Sequence, residues 1–165
     1  MMIRFEQPQD QMAITRITIA AFAGQAHSGQ TEHVIIDRLR DAGALTLSLV
    51  AVDRGEIIGH VAFSPVEIEA EHKGWFGLGP VSVRPERQRE GIGTSLIQRG
   101  LRELRTRGAA GCVVLGDPAY YRRFGFENDD ALRYEGAPGE FFMRKELRGG
   151  VPAGTVRYHP AFDGH

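Results

Sequence analysis

Gly79-Pro80 sits inside a stretch, Trp75–Val83, that otherwise reads as a β-strand. Proline has no N–H to give a ladder, so a Gly-Pro pair in a strand predicts a bulge. A bulged strand splays from its neighbour and leaves backbone N–H and C=O groups unpaired at Val81 and Val83. The residues that follow narrow the possibilities further. Arg84–Glu90 is a charged loop, and Gly91-x-Gly93 then opens a helix. The first turn of a helix has N–H groups without intrahelical partners, and the helix dipole adds positive charge there. The strand therefore leads straight to an anion site.

The spacing Gln88-x-x-Gly91-x-Gly93 suits a large anion. The glycines let the backbone approach a ligand with no Cβ in the way. Amides of residues 89 to 94 can form a nest for a pyrophosphate. A ligand carrying amides would complete the ladder at Val81 and Val83 by strand addition. Coenzyme A, an amide-rich arm joined to a pyrophosphate, has that shape. Two commoner phosphate loops do not fit. Gly93-Thr94-Ser95 lacks the lysine of a P-loop, and the third glycine of a dinucleotide fingerprint is missing. In the structural alternative, Gly91 and Gly93 only make a tight turn, and the loop arginines only form a solvated, ion-paired surface.

Lys+Arg number 20 against 21 Asp+Glu in 165 residues, which argues against a general nucleic-acid binder. Positive charge is nonetheless gathered near the anion site, at Arg84, Arg87, Arg89, Arg99, Arg102, Arg105 and Arg107. No apolar run approaches the ~18 residues that span a bilayer, and no signal-peptide pattern opens the chain. The single cysteine, Cys112, lies in an apolar run and suits a buried position in a reducing, cytoplasmic setting. No metal site and no membrane or nucleic-acid partner is expected.

Along the chain, Met2–Glu6 alternates as a strand, and helices are expected after Pro8 and after Thr31. Leu45–Val52 and Glu56–Phe63 flank the turn Asp53-Arg54-Gly55. Beyond Pro65 the alternation resumes, so a bend or bulge is expected there. The helix after Gly93 carries Leu96, Ile97, Leu101 and Leu104 on one face. Gly111–Leu115 reads as a strand buried on both faces. A short helix, Pro118–Phe124, and strands over Glu140–Leu147 and Gly154–Tyr158 complete the chain. The order β-α-α-β-β-β-α-β-α-β-β implies one α/β domain over residues 1–165. Its sheet is mixed, with six to seven strands, one of them bulged, and helices on both faces.

Leu78–Ile97 resembles motif A of the GNAT superfamily, the acyl-CoA-dependent N-acetyltransferases, whose signature is Arg/Gln-x-x-Gly-x-Gly/Ala after a bulged strand. The stretch Gly116–Phe126, GDPAYYRRFGF, is similar to their motif B. With the closing GTVRYHPAF it is most similar to a small bacterial, YhbS-like branch. The resemblance covers nearly the whole chain. It implies an acyltransferase that moves an acetyl group from acetyl-CoA to a primary amine by direct attack in a ternary complex. The acceptor would be a small molecule or a protein N-terminus, and a homodimer is possible by analogy. Val81, Ser82 and Val83 would hold the pantetheine. Gln88, Arg89, Glu90, Gly91, Ile92, Gly93 and Thr94 would hold the pyrophosphate, with Arg87 or Arg89 reaching the outer phosphates.

Tyr121 falls where the family carries its general-acid tyrosine. A phenol with pKa roughly 10 is a weaker acid than a thiol near 8.5, yet it can donate as charge develops on sulfur. Tyr120 points about 100° away on a helix and is set aside. The family pattern thins at the base, because Trp75-Phe76-Gly77-Leu78 carries no acid. Glu67 is the candidate, with Glu69, His60 and His72 behind it. The rival readings are a non-catalytic acyl-CoA-binding regulatory module with the same fold and, less favoured, an unrelated nucleotide-phosphate binder.

Overall fold

The computed structural model describes residues 1–26 and 28–163. Its strands are β1 (Met2–Phe5), β2 (Leu47–Asp53), β3 (Glu56–Ile68), β4 (Trp75–Val83), β5 (Gly111–Leu115), β6 (Leu132–Arg133), β7 (Phe142–Glu146) and β8 (Gly154–Tyr158). The helices are α1 (Gln11–Phe22), α2 (Glu32–Asp41), α3 (Ile92–Thr106) and the single turn α4 (Pro118–Tyr121). The strands form one mixed sheet in the order β1-β2-β3-β4-β5-β7, with β8 on β3 and β6 on β8. Eight strands stand where six to seven were expected, because the two-residue β6 has no periodicity to announce it. Neighbours pair antiparallel except β4 with β5 and β6 with β8.

α3 covers one face. Its apolar stripe packs on Leu49, Val61, Phe63 and Cys112, and small residues set how closely it approaches. A Cβ on Gly59 would meet Leu96 at 3.0 Å. α1 and α2 cover part of the other face, where Ile14, Ile17 and Ile36 bury Val50 and Ile57. Cys112 is fully buried and its thiol is pushed far up by desolvation, as a small core hydrophobe requires.

β3 runs unbroken through Pro65, and its partner on one edge changes there from β2 to β8. Its residues turn their backbone groups alternately to the two edges. Ile58 takes the Arg84 N–H on the β4 side, while Glu69 gives its N–H to Thr155 on the β8 side. Odd-numbered residues thus face away from β4. β2 pairing ends at Phe63 and β8 pairing begins at Val66, so the Pro65 nitrogen faces the gap between them. No ladder bond is lost there.

A half-buried polar chain runs from the sheet to its edge, with His60 its one buried member. Arg40 pairs with Glu6, Ser48 donates to Glu6, and the Ser48 oxygen sits 2.8 Å from His60 Nε2. Serine has one proton, already given to Glu6, so Nε2–H of His60 is the donor and Nδ1 is bare. Burial would raise the Glu6 pKa, but hydrogen bonds from Arg40 and Ser48 outweigh it and hold the carboxyl below its ordinary value. Desolvation lowers His60 from 6.5 to about 4. The unfolded chain therefore takes up this proton first. Stability is full above pH 6.5 and falls as pH drops towards 4, by about 3 kcal/mol in all. His60→Gln should remove this one-proton slope from urea-unfolding midpoints measured across that window, and an unchanged slope would assign it elsewhere.

Candidate active site

β4 carries the expected bulge. Val61 pairs with Val81 and Phe63 with Leu78, so β4 spends one extra residue at Gly79-Pro80. Gly79 has φ +133°, a conformation that glycine tolerates, and its bond to Pro80 is cis. Pairing with β5 ends at Gly77–Val113, and the two strands part beyond that point. The Arg84 N–H donates to Ile58 on β3. By alternation Ser82 faces the same way, and the N–H groups of Val81 and Val83 point into the opening. Ser82 also turns its side chain from the opening, where it is buried against Thr18 of α1 with a 3.2 Å hydrogen bond. The Val83 carbonyl, on the open side, receives the Gln88 side-chain amide at 3.1 Å.

The helix start lies directly beyond. Gly91 takes a left-handed conformation at φ +84°, and no side chain caps the first turn of α3. Its amides are left for a ligand. Arg89 is also left-handed, at φ +67°. A Cβ on Gly93 would sit 3.6 Å from Val83 and 3.7 Å from the Tyr120 hydroxyl, so this glycine faces the groove. The groove encloses about 680 Å³ between Val81, Val83, the loop 87–94, Tyr120, Arg123 and the end of α1 at Phe22 and Gln25.

The two arginines expected at the outer phosphates are held differently. Arg87 is held by Asp53 and Glu90, both at 3.0 Å, which also accounts for the Glu90 side chain. Arg89 forms no ion pair among the described residues and lines the groove. Arg123, not anticipated from the sequence, lines it too. Its guanidinium lies 4.4 Å over the Tyr120 ring and donates to the Tyr120 carbonyl at 2.9 Å.

Tyr120 itself faces this groove, its hydroxyl 2.9 Å from Thr94 Oγ1. Tyr120 in α4 and Arg123 in the 3-10 turn that follows it are three residues apart, and that spacing was the available signal. Tyr121 points elsewhere. Its ring packs against Gly116, Phe124 and Phe126. Burial pushes its phenol well above the usual value, so it stays a hydrogen-bond donor at any physiological pH.

Glu67 is exposed on β3, opposite Arg157. It lines a separate hollow of about 480 Å³ with His72, Phe76 and His159, not the Val81–Tyr120 groove. Phe22 and Gln25 border the groove, and His27 lies outside the described residues. No cluster of metal-ligating side chains occurs among the described residues. No helix there is long and apolar enough to cross a membrane.

Residues 3–128 match the model of the acetyltransferase (GNAT) domain. The chain belongs to the GNAT acetyltransferase family. It is 37% identical to the uncharacterized N-acetyltransferase YhbS of Escherichia coli K12, with 99% of each chain covered. Among solved structures it is similar to a GNAT family acetyltransferase from Brucella melitensis in complex with acetyl-CoA. There the TM-score is 0.89 and the identity 52%, over 98% of this chain and 97% of that one. It is also similar to E. coli YhbS in complex with CoA, at TM-score 0.90 and 36% identity, over 99% and 92%. Within this GNAT frame the splayed β4 and the uncapped start of α3 belong to one groove, continuous from strand to helix.

Proposed function

We propose that this protein transfers an acetyl group from acetyl-CoA to a primary amine by direct attack in a ternary complex. One observation carries the reading. The outward N–H groups of Val81 and Val83 lead into the uncapped first turn of α3, in a chain whose relatives were crystallised with acetyl-CoA and CoA. Val81 and Val83 would pair with the pantetheine amides. The amides around Gly91, Ile92, Gly93 and Thr94 would take the pyrophosphate, and Arg89 the outer charge. Gln88 acts at one remove, tying the loop to the strand through the Val83 carbonyl. Arg123 adds positive charge to the same groove.

In the reaction a C–N bond forms and the C–S bond breaks. Of the three ammonium protons, one stays on the amide, one reaches the sulfur and one leaves for solvent. Tyr121 is the proposed donor to the leaving sulfur. Its buried ring fixes the hydroxyl in place, and its raised pKa keeps it protonated. Glu67 is the proposed base. From its exposed place on β3 it would work through water. Glu67→Gln should lower kcat/KM by about tenfold, less than a base in direct contact supplies, and shift the acid limb of the pH profile. An unmoved profile removes Glu67 from the mechanism.

Calorimetric titration tests the cofactor. Acetyl-CoA and CoA should bind far better than ATP or NAD. Preference for ATP or NAD would overturn the assignment. Nothing in the comparisons supports a binding module without turnover.

A further inference from the structure

Among the described residues, three buried side-chain atoms have no hydrogen-bond partner: His60 Nδ1, Ser64 Oγ and the Tyr158 hydroxyl. Buried polar atoms are almost always paired, so each asks for an explanation. Two of them lie where the strands part, since Ser64 pairs with Gly77 across the β3–β4 ladder, and of these two the tyrosine is the longer side chain. Tyr158 closes β8 opposite Val66, on the edge of β3 away from β4. Its ring nonetheless reaches across β3 onto β4, where a Cβ on Gly77 would lie 2.6 Å from it. Gly77 is the last β4 residue paired with β5. A glycine there is what gives the ring its place.

Packing fixes the ring. Tyr134 meets it edge-on at 5.2 Å and Phe162 packs at the same distance. Tyr121 approaches from the α3 side, its ring against Gly116, the first residue after β5. Burial holds the Tyr158 phenol well above its ordinary pKa, as a protonated donor. The Tyr158 ring thus lies against the last β4 residue paired with β5, and its buried hydroxyl has nothing to donate to.

We propose that the Tyr158 hydroxyl donates a hydrogen bond to the carbonyl oxygen of the acyl thioester and shares the negative charge that gathers there as the amine attacks. The inference rests on the acetyltransferase reading. A pantetheine arm laid along Val83 and Val81 runs towards Gly77, and the part that reaches that glycine is the acyl end. No acceptor amine needs to be known to test it.

Isotope-edited infrared spectra of carbonyl-labelled acetyl-CoA, bound to the wild type and to Tyr158→Phe, read the bond directly. The variant should move the carbonyl band to higher frequency. It should also weaken acetyl-CoA by about tenfold relative to CoA, while CoA affinity stays the same. Its melting temperature should hold or rise, because an unpartnered buried hydroxyl is removed. Tyr134→Phe is the packing control and should leave the band in place. A band that does not move in Tyr158→Phe, or moves equally in Tyr134→Phe, overturns the proposal. Wild-type protein that binds no acetyl-CoA overturns the acetyltransferase reading with it.

Discussion

Gly93→Leu keeps the fold and weakens acetyl-CoA binding by about 100-fold, ~2.7 kcal/mol. Gly93 lies in the first turn of α3 and is absent from the residues with positive φ. A Cβ there makes only ordinary contacts, at 3.6 Å and beyond. Leucine is also the better helix former, by roughly 1 kcal/mol. Stability should therefore hold or rise. The remaining side-chain atoms have one way to go, into the groove over Val81 and Val83, where the cofactor arm would lie. Calorimetry with acetyl-CoA and a melting curve on the same sample separate the two effects. Undiminished affinity in a folded variant would place the cofactor somewhere other than this groove.

Tyr121→Phe should lower kcat on the order of 100-fold, the lower end for loss of a positioned acid. Acetyl-CoA affinity should change by no more than about twofold, because the ring keeps its contacts with Gly116, Phe124 and Phe126. Tyr120→Phe makes the contrast. Tyr120 lines the cofactor groove through its bond to Thr94, so its loss should show in affinity before it shows in turnover. If Tyr121→Phe leaves kcat unchanged under conditions limited by chemistry, Tyr121 is a packing residue and the acid lies elsewhere.

The frame of the groove was legible because its signals are backbone signals. Gly79-Pro80 cannot continue a ladder, and Gly91-x-Gly93 cannot be read as ordinary helix interior. The topology turns those two facts into one opening. Periodicity was less informative where two strands share a lane. Pro65 reads as a break in the sequence, yet its nitrogen meets the gap between β2 and β8 and breaks nothing. Ser82 sits between two outward valines and faces inward for the plain reason that strands alternate. Long-range pairing hid other features. Nothing near Arg87 in the sequence points to Asp53, 34 residues earlier, which holds it. The Tyr158 hydroxyl was invisible for the same reason, since its place depends on β8 lying beside β3 and on a glycine two strands away. The acceptor side remains the part with the fewest backbone constraints, and amine recognition is written in side chains rather than in motifs.

Turnover can be read in one measurement. Incubation of the wild type with acetyl-CoA and a panel of small amines and peptides should release free thiol in step with acetylated amine seen by mass spectrometry. Both should depend on the same amine and fall together in Tyr121→Phe. Tight, stoichiometric acetyl-CoA binding with no amine-dependent thiol release across the panel would contradict the account.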